Sequence, residues 1–239
     1  MEAKKTARRI TDDLLAMGDD ALRLSSRRFF KEEIKCHGIK AARVRAYTGI
    51  ILKEISGQSK GHVFDLCELL WSEGFLEETF IACHLTESRS KEFDKADIRL
   101  FQRWIESFVT NWASCDTFCN HSVAMLLEKY PENIGILEKE WATSPNRWLR
   151  RGAAVSLVIP SRRGRFLEEV LAIVETLLCD ADDMVQKGYG WLLKAASESH
   201  RQEIYEYMMS RKNIMPRTAL RYGIEKMPPE LRRRIMDRN

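Results

Sequence analysis

An indole and a carboxylate in the segment TNWASCDTFCNH are the first candidates for chemistry in this sequence. Trp112 and Asp116 are four residues apart, so a helix would place them on one face. A carboxylate there can stabilise developing positive charge or act as a general base. The same spacing also fits ordinary packing of Trp112 and a capping or solvent-exposed Asp116, so both interpretations stay open.

A second indole, Trp191, lies in the segment QKGYGWLL, where Gly188 and Gly190 fall within one predicted helix. Each glycine costs a helix about 1 kcal/mol relative to alanine. Glycine at such positions therefore indicates either tight packing against another helix or a backbone brought close to a ligand.

Motifs of several large enzyme classes are absent from the sequence. It contains no GxxxxGK[ST], no GxGxxG after a strand, no GxSxG and no HExxH. The six cysteines form no CxxC pair, and no second pair with zinc-ligand spacing accompanies Cys115, Cys119 and His121. We therefore predict no metal site and no organic or nucleotide cofactor.

Helices are predicted to carry these residues. Apolar residues recur every three to four positions, and no sustained period-two alternation predicts a strand. Two clear stripes are Ile98, Phe101, Trp104, Ile105 and Phe108, and then Leu167, Val170, Leu171, Val174, Leu177 and Leu178. Short breaks such as SPN (144–146) and CDADD (179–183) separate the helices.

A weak internal repeat favours a solenoid. The segment WLRRGAAV (148–155) aligns with MVQKGYGW (184–191), and each follows an apolar helix and a polar turn. A period in the thirties is typical of HEAT-like repeats, which stack helix pairs into a curved body. We predict an all-α, curved α-solenoid with a basic concave face, formed by one domain over residues 1–239.

Positive charge is concentrated in two parts of the chain, although the net charge is only +4. These clusters are either solvated helix faces or a cationic surface for a polyanion. One comprises Arg147, Arg150, Arg151, Arg162, Arg163 and Arg165, and the other includes Arg211, Lys212, Arg217, Arg221, Lys226, Arg232, Arg233 and Arg234.

The N-terminal segment and the hydropathy pattern predict a protein outside the membrane. No apolar run approaches the roughly 20 residues that span a bilayer. The start, MEAKKTARRITDDLL, lacks the apolar stretch of a signal peptide. We therefore expect a cytoplasmic protein without membrane contact. We also expect the protein to be a monomer.

Four segments, in order, carry a family resemblance. They are FFKEEIKCHGIKAARVR (29–45), Trp112 with Asp116, Trp148 to Ala153, and Lys187 to Trp191. They resemble the opening segment and the Trp-x-x-x-Asp, Trp-x-Arg-Arg-x-Ala and Lys-x-x-Gly-Trp motifs of the AlkD-like DNA alkylation repair glycosylases, which are built of HEAT-like repeats. The chain departs from that pattern in having no proline after Gly38 and a cysteine directly before Asp116.

The resemblance implies a function and a set of site residues. It implies a monofunctional glycosylase that removes cationic N3- or N7-alkylated purines from duplex DNA, leaving an abasic site and binding the nucleoid while it acts. Asp116, Trp112 and Trp191 would frame the damaged nucleotide, and Arg151, or the adjacent Arg150, would hold a backbone phosphate. The remaining DNA-binding residues would be Lys187, Lys40 and Arg43.

Two other functions fit the same residues. One is a non-catalytic repeat protein that binds bent, branched or damaged DNA; the other is a helical scaffold for proteins whose basic clusters are only solvated. Salt-sensitive binding to duplex DNA separates the scaffold from both DNA-binding functions. Release of free base separates the enzyme from the non-catalytic binder.

Overall fold

The computed structural model describes residues 2–237, and the regular structure within this range is helical, as predicted. Met1, Arg238 and Asn239, at the ends of the predicted domain, lie outside it. Short 3₁₀ turns occur at Arg27–Phe29, Ser90–Glu92 and Pro131–Asn133, and π turns at Cys119–Val123 and Leu137–Trp141. The α-helices are α1 (Glu2–Met17), α2 (Asp20–Ser26), α3 (Ala41–Glu54), α4 (Lys60–Glu73), α5 (Leu76–Ser88), α6 (Asp97–Phe108), α7 (Trp112–Phe118), α8 (Ala124–Lys129), α9 (Ile134–Ile136), α10 (Arg147–Val155), α11 (Val158–Arg162), α12 (Leu167–Leu177), α13 (Asp183–Ala196), α14 (Arg201–Arg211), α15 (Arg217–Gly223) and α16 (Pro229–Met236).

The helices form two compact units, one ending at Ser122 and the other beginning at Val123. In the first unit α1 packs on α4 and α4 on α6, while α3 packs on α5 and α5 on α7. Contacts between α4 and α5 join the α1–α4–α6 row to the α3–α5–α7 row. The single domain, the curvature and the basic concave face stay predictions.

An aromatic cluster holds α7 in the first unit. The Phe118 ring is fully buried and lies 5.5 Å from the Trp71 ring, 5.1 Å from Phe101 and 6.0 Å from Trp104, between centroids. Large rings bury much apolar area, and edge-to-face pairs add about 0.5–1.5 kcal/mol each. This cluster therefore fixes the helix that carries Trp112 and Asp116.

A buried glutamate organises the loop that leads into α3. Glu77, only 4% exposed, accepts hydrogen bonds from the backbone N–H groups of His37 (3.0 Å), Gly38 (3.0 Å) and Ile39 (3.1 Å). Gly38 has a φ of +82°, and a Cβ there would lie 2.2 Å from the Asp19 carbonyl oxygen. Only glycine fits such a backbone and such a contact.

The His37 side chain completes this buried cluster. Its Nε2 lies 2.9 Å from a carboxylate oxygen of the fully buried Glu78, and its ring stacks on Phe75 at 4.3 Å between centroids. Burial raises the pKa of Glu78, and the contact with His37 acts in the opposite direction. The His-Gly-Ile segment of the opening motif is therefore held in place by buried contacts with α5 and Phe75.

The internal repeat corresponds to equivalent helices in the second unit. The Asn146 side chain caps α10 by accepting from Trp148 N at 2.8 Å, and Asp182 caps α13 by accepting from Met184 N at 2.8 Å. An oxygen-bearing side chain at this position satisfies a backbone donor that the helix leaves unpaired. Helix α10 packs on α13 and α13 on α15, which gives one row of successive helices.

Both glycines of α13 serve helix packing. A Cβ on Gly188 would lie 3.2 Å from Arg151 Cγ on α10. A Cβ on Gly190 would lie 2.7 Å from Tyr222 Cβ and 2.9 Å from the Ala219 carbonyl oxygen on α15. Of the two interpretations of these glycines, the structure supports close approach of helices on either side of α13.

Candidate catalytic and DNA-binding site

Helix α7 presents Trp112 and Asp116 on one partly exposed face. The Asn111 side chain starts the helix by accepting from Ser114 N at 3.0 Å. The opposite face is buried, and it consists of Ala113, Ser114, Cys115 and Phe118. Trp112 and Asp116 are only partly buried, so the shared face that their spacing predicts is present.

The Trp112 ring is held by the segment that precedes α3. It stacks on the Phe30 ring at 5.4 Å between centroids, with the planes 22° apart. Its Nε1–H donates to the Phe29 carbonyl oxygen at 3.3 Å. Two of the four segments that carry the family resemblance are therefore in direct contact, and they fix the indole beside Asp116.

Lys40 and Arg43 lie in the same unit, at the start of α3. Both side chains are exposed, and the Lys40 carbonyl oxygen accepts from Arg43 N (2.8 Å) and Val44 N (3.1 Å). Arg43 also donates weakly to the Met17 carbonyl oxygen, at 3.5 Å. Since α3 and α7 both pack on α5, these cations and Asp116 belong to one row of helices.

Both arginines of the pair in the second unit have partners within the protein. Arg151 is 5% exposed, and its guanidinium donates to the Met184 carbonyl oxygen. Arg150 Nε lies 2.6 Å from Asp180 Oδ2, and its Nη1 donates to the carbonyl oxygens of Ser144 (2.9 Å) and Pro145 (3.1 Å). The assignment of either arginine to a DNA phosphate stays a prediction.

The other arginines of the first basic cluster also contact carboxylates. These contacts place an acid beside most of the cluster, so much of its positive charge is neutralised. The pairs are Arg147 with Asp182, Arg162 with Glu198, and both Arg163 and Arg165 with Glu128.

Arg150→Met is expected to lower the free energy of unfolding by about 2–4 kcal/mol. The variant leaves the Asp180 side chain, which is 9% exposed, without its cation. Urea unfolding measures the effect, and Arg162→Met is the matched control because its pair with Glu198 is exposed and worth at most about 1 kcal/mol. Equal losses in the two variants would contradict a packing role for Arg150.

Lys187 and Trp191 lie on α13, in the same unit as the arginine pair. The Lys187 ammonium is 3.0 Å from an Asp183 carboxylate oxygen, and its side chain is 27% exposed. Trp191 is partly buried. The structure thus groups the predicted residues in two sets, with Trp112, Asp116, Lys40 and Arg43 in one unit, and Arg150, Arg151, Lys187 and Trp191 in the other.

The second basic cluster contributes to a groove at the end of the second unit. Its volume is about 720 Å³, and Arg221, Arg232 and Arg233 line it together with Ile224, which follows α15, and with Pro229 and Met236 of α16. The three arginines are exposed at its rim. A phosphate backbone is one ligand that suits such a lining.

The cysteines and histidines are not arranged as a metal site in the part of the chain that the structure describes. No group of three or more histidine, cysteine, aspartate or glutamate side chains is positioned to hold a metal ion there. Cys115 and Cys119 are fully buried, and His121 Nδ1 instead lies 3.4 Å from Glu87 Oε1.

Within residues 2–237 no helix is both long and apolar enough to cross a membrane.

Comparison with known proteins identifies relatives of the chain. No curated protein matches it. A solved structure described as a predicted DNA alkylation repair enzyme from Enterococcus faecalis superposes with a TM-score of 0.80 over 89% of this chain and 98% of its own, at 16% identity. That likeness shows a shared fold. A family model described as DNA alkylation repair enzyme matches residues 10–227, and the chain therefore belongs to that family.

Proposed function

We propose that this protein is a monofunctional DNA glycosylase, which hydrolyses the N-glycosidic bond of N3- or N7-alkylated purines in duplex DNA. The family is one of DNA repair enzymes, so DNA is its class of substrate. The observation that supports glycosylase activity on alkylated purines is the position of Asp116. Its carboxylate is on the partly exposed face of α7, beside an indole fixed by Phe30.

The chemistry that this proposal requires is modest. An N3- or N7-alkylated purine is cationic, so its bond to the sugar can break without a general acid, and the bonding electrons neutralise the leaving base. Positive charge then develops on the sugar. The Asp116 carboxylate stabilises that charge and accepts a proton from the water that attacks the anomeric carbon.

The aromatic residues have a supporting role in the proposal. An indole face attracts positive charge and packs on the deoxyribose, and Trp112 is already held in one orientation by Phe30 and the Phe29 carbonyl group. Trp191 is assigned the same role from the second unit. In this scheme the lesion is attacked from the sugar side, and no deep pocket for the base is required.

The phosphate backbone positions the duplex in this scheme without reading its sequence. The exposed Lys40 and Arg43 are the most accessible of the assigned cations. Arg151 donates to the Met184 carbonyl group and Arg150 pairs with Asp180, so a phosphate would have to reach the remaining N–H groups of each guanidinium or displace these partners. Lys187, which is partly exposed, completes the set.

The test is to incubate the protein with methylated duplex DNA and to identify free bases by mass spectrometry. Release of 3-methyladenine and 7-methylguanine is expected, with strands that break only after heat or alkali. Strand cleavage without either treatment would contradict the monofunctional assignment. Salt-sensitive binding without any base release would instead favour the non-catalytic DNA-binding protein.

A further inference from the structure

A small cleft opens on the α3–α5–α7 row of the first unit. Its volume is about 260 Å³, and its polar lining consists of Arg45 from α3, His84 from α5, and Thr117 and His121 from α7 and the following π turn. The apolar side chains of Val44 and Phe80 also line the cleft. Thr117 follows Asp116 directly in α7, so the cleft lies on the helix that carries the proposed catalytic carboxylate, one residue along the chain.

Two histidines of the cleft share one carboxylate. His84 Nδ1 lies 3.4 Å from Glu87 Oε2, and His121 Nδ1 lies 3.4 Å from Glu87 Oε1. The two imidazoles lower the pKa of Glu87 to about 2, and Glu87 raises the pKa of His121. With Nδ1 directed at Glu87, the Nε2 atom of each imidazole is the second ring nitrogen that can take part in a hydrogen bond.

The third basic group of the cleft is Arg45, on α3. Its side chain is exposed, and it forms no ion pair with any residue between 2 and 237. The cleft therefore brings a guanidinium and two imidazoles together against a single carboxylate, which leaves net positive charge when His121 is protonated. The hydroxyl group of Thr117 adds a neutral donor.

The backbone around His121 is unusual in a way that fits a binding site. Residues Cys119–Val123 form a π turn, and such turns are rare and occur frequently at functional sites. The side-chain oxygens Asn120 Oδ1 and Ser122 Oγ, both in this turn, are buried without a hydrogen-bond partner among the described residues.

We propose that this cleft binds a phosphate group of the DNA backbone, held by Arg45, His84 and His121, next to the nucleotide on which Asp116 acts. The inference rests on the proposed function for the identity of the polymer. Fixed positive donors at this place would set the register of the damaged nucleotide without reading its base.

The experiment measures binding of unmodified duplex DNA to wild type, Arg45→Gln and His121→Gln by fluorescence anisotropy at several salt concentrations. We expect Arg45→Gln to weaken binding about tenfold and to reduce the slope of log affinity against log salt by about 1. Matched controls are Arg103→Gln and His62→Gln, which lie on the α1–α4–α6 row and should change affinity less than about twofold.

The dependence on pH provides a second readout. The charged and titratable groups facing His121 are Glu87 and His84 from α5 and Arg45 from α3. Because protonated His121 is the binding form, affinity of wild type should fall as pH rises from about 6 to about 8.5. In His121→Gln this decline should be smaller.

Two outcomes would overturn the inference. One is that Arg45→Gln and His121→Gln both bind duplex DNA with the affinity of wild type and with the same dependence on salt concentration. The other is unchanged duplex binding while inorganic phosphate still shifts the ring NMR signals of His121, which would assign the cleft to free phosphate. Neither readout depends on base release. If wild type releases no base but the variants still bind duplex DNA more weakly than wild type does, the glycosylase proposal is refuted and the phosphate-binding proposal is not.

Discussion

Asp116→Asn is expected to slow release of 7-methylguanine from duplex DNA by about 10²- to 10⁴-fold. The amide keeps the shape of the side chain and removes the negative charge, so it neither stabilises the cationic sugar nor accepts the proton of the attacking water. The substitution lies on the partly exposed face of α7, whereas the aromatic cluster that anchors this helix is on its buried side. Folding should therefore be preserved.

The measurement is a single-turnover time course with enzyme in excess over a duplex that carries one 7-methylguanine. Duplex affinity, measured separately, should be equal to that of wild type or slightly tighter, because a negative charge near the phosphates is lost. Asp65→Asn, on the exposed surface of α4, is the matched control and should leave the rate unchanged. Equal rates for Asp116→Asn and wild type would remove Asp116 from the catalytic role.

Glu77→Ala is expected to lower the free energy of unfolding by about 3–5 kcal/mol. The carboxylate accepts from three consecutive backbone N–H groups, at His37, Gly38 and Ile39. Each buried donor that loses its partner costs about 1–3 kcal/mol. Water that enters the space left by the side chain can accept some of these hydrogen bonds and reduce the total cost. The loop precedes α3, so the loss also loosens the helix that carries Lys40, Arg43 and Arg45.

Urea unfolding compares this variant with Glu73→Ala, which removes an exposed carboxylate from the end of α4 and should cost less than about 0.5 kcal/mol. Glu77→Gln keeps one acceptor oxygen and should fall between the two. If Glu77→Ala unfolds within about 1 kcal/mol of wild type, the loop does not depend on this carboxylate.

The helical framework could be predicted from the sequence because it follows from local periodicity. The stripe that contains Phe101, Trp104 and Ile105 is buried as predicted, and the i, i+4 spacing of Trp112 and Asp116 does give a shared face. Side-chain periodicity of 3.6 residues is a property of the chain itself, and tertiary context seldom reverses it over a long helix.

Contacts between distant segments could not be predicted in the same way. Glu77 lies about forty residues after the loop that it holds, and no local signal links the two. His84 and His121 look isolated in the sequence and share Glu87 only because α5 packs on α7. A motif search finds residues at fixed spacing, and it cannot find this cleft.

The adjacent arginines illustrate a different limit. The pattern Trp-x-Arg-Arg-x-Ala marks Arg150 and Arg151 for a phosphate, yet one is engaged with Asp180 and the other is buried against α13. An arginine that binds a phosphate and an arginine that is held by other parts of the protein look the same in the sequence. Only the position of the acceptors, here a carboxylate and a main-chain carbonyl group, distinguishes them.

A comparison of two lesions shows whether the protein acts only on a nucleotide whose base is already cationic, as the role proposed for Asp116 requires. The measurement is the single-turnover rate of base release from two duplexes of the same sequence, one with 7-methylguanine and one with the neutral purine hypoxanthine. If Asp116 works without a general acid, only 7-methylguanine is released. Release of hypoxanthine at a comparable rate would require a general acid for the leaving base, and it would rule out the role proposed for Asp116.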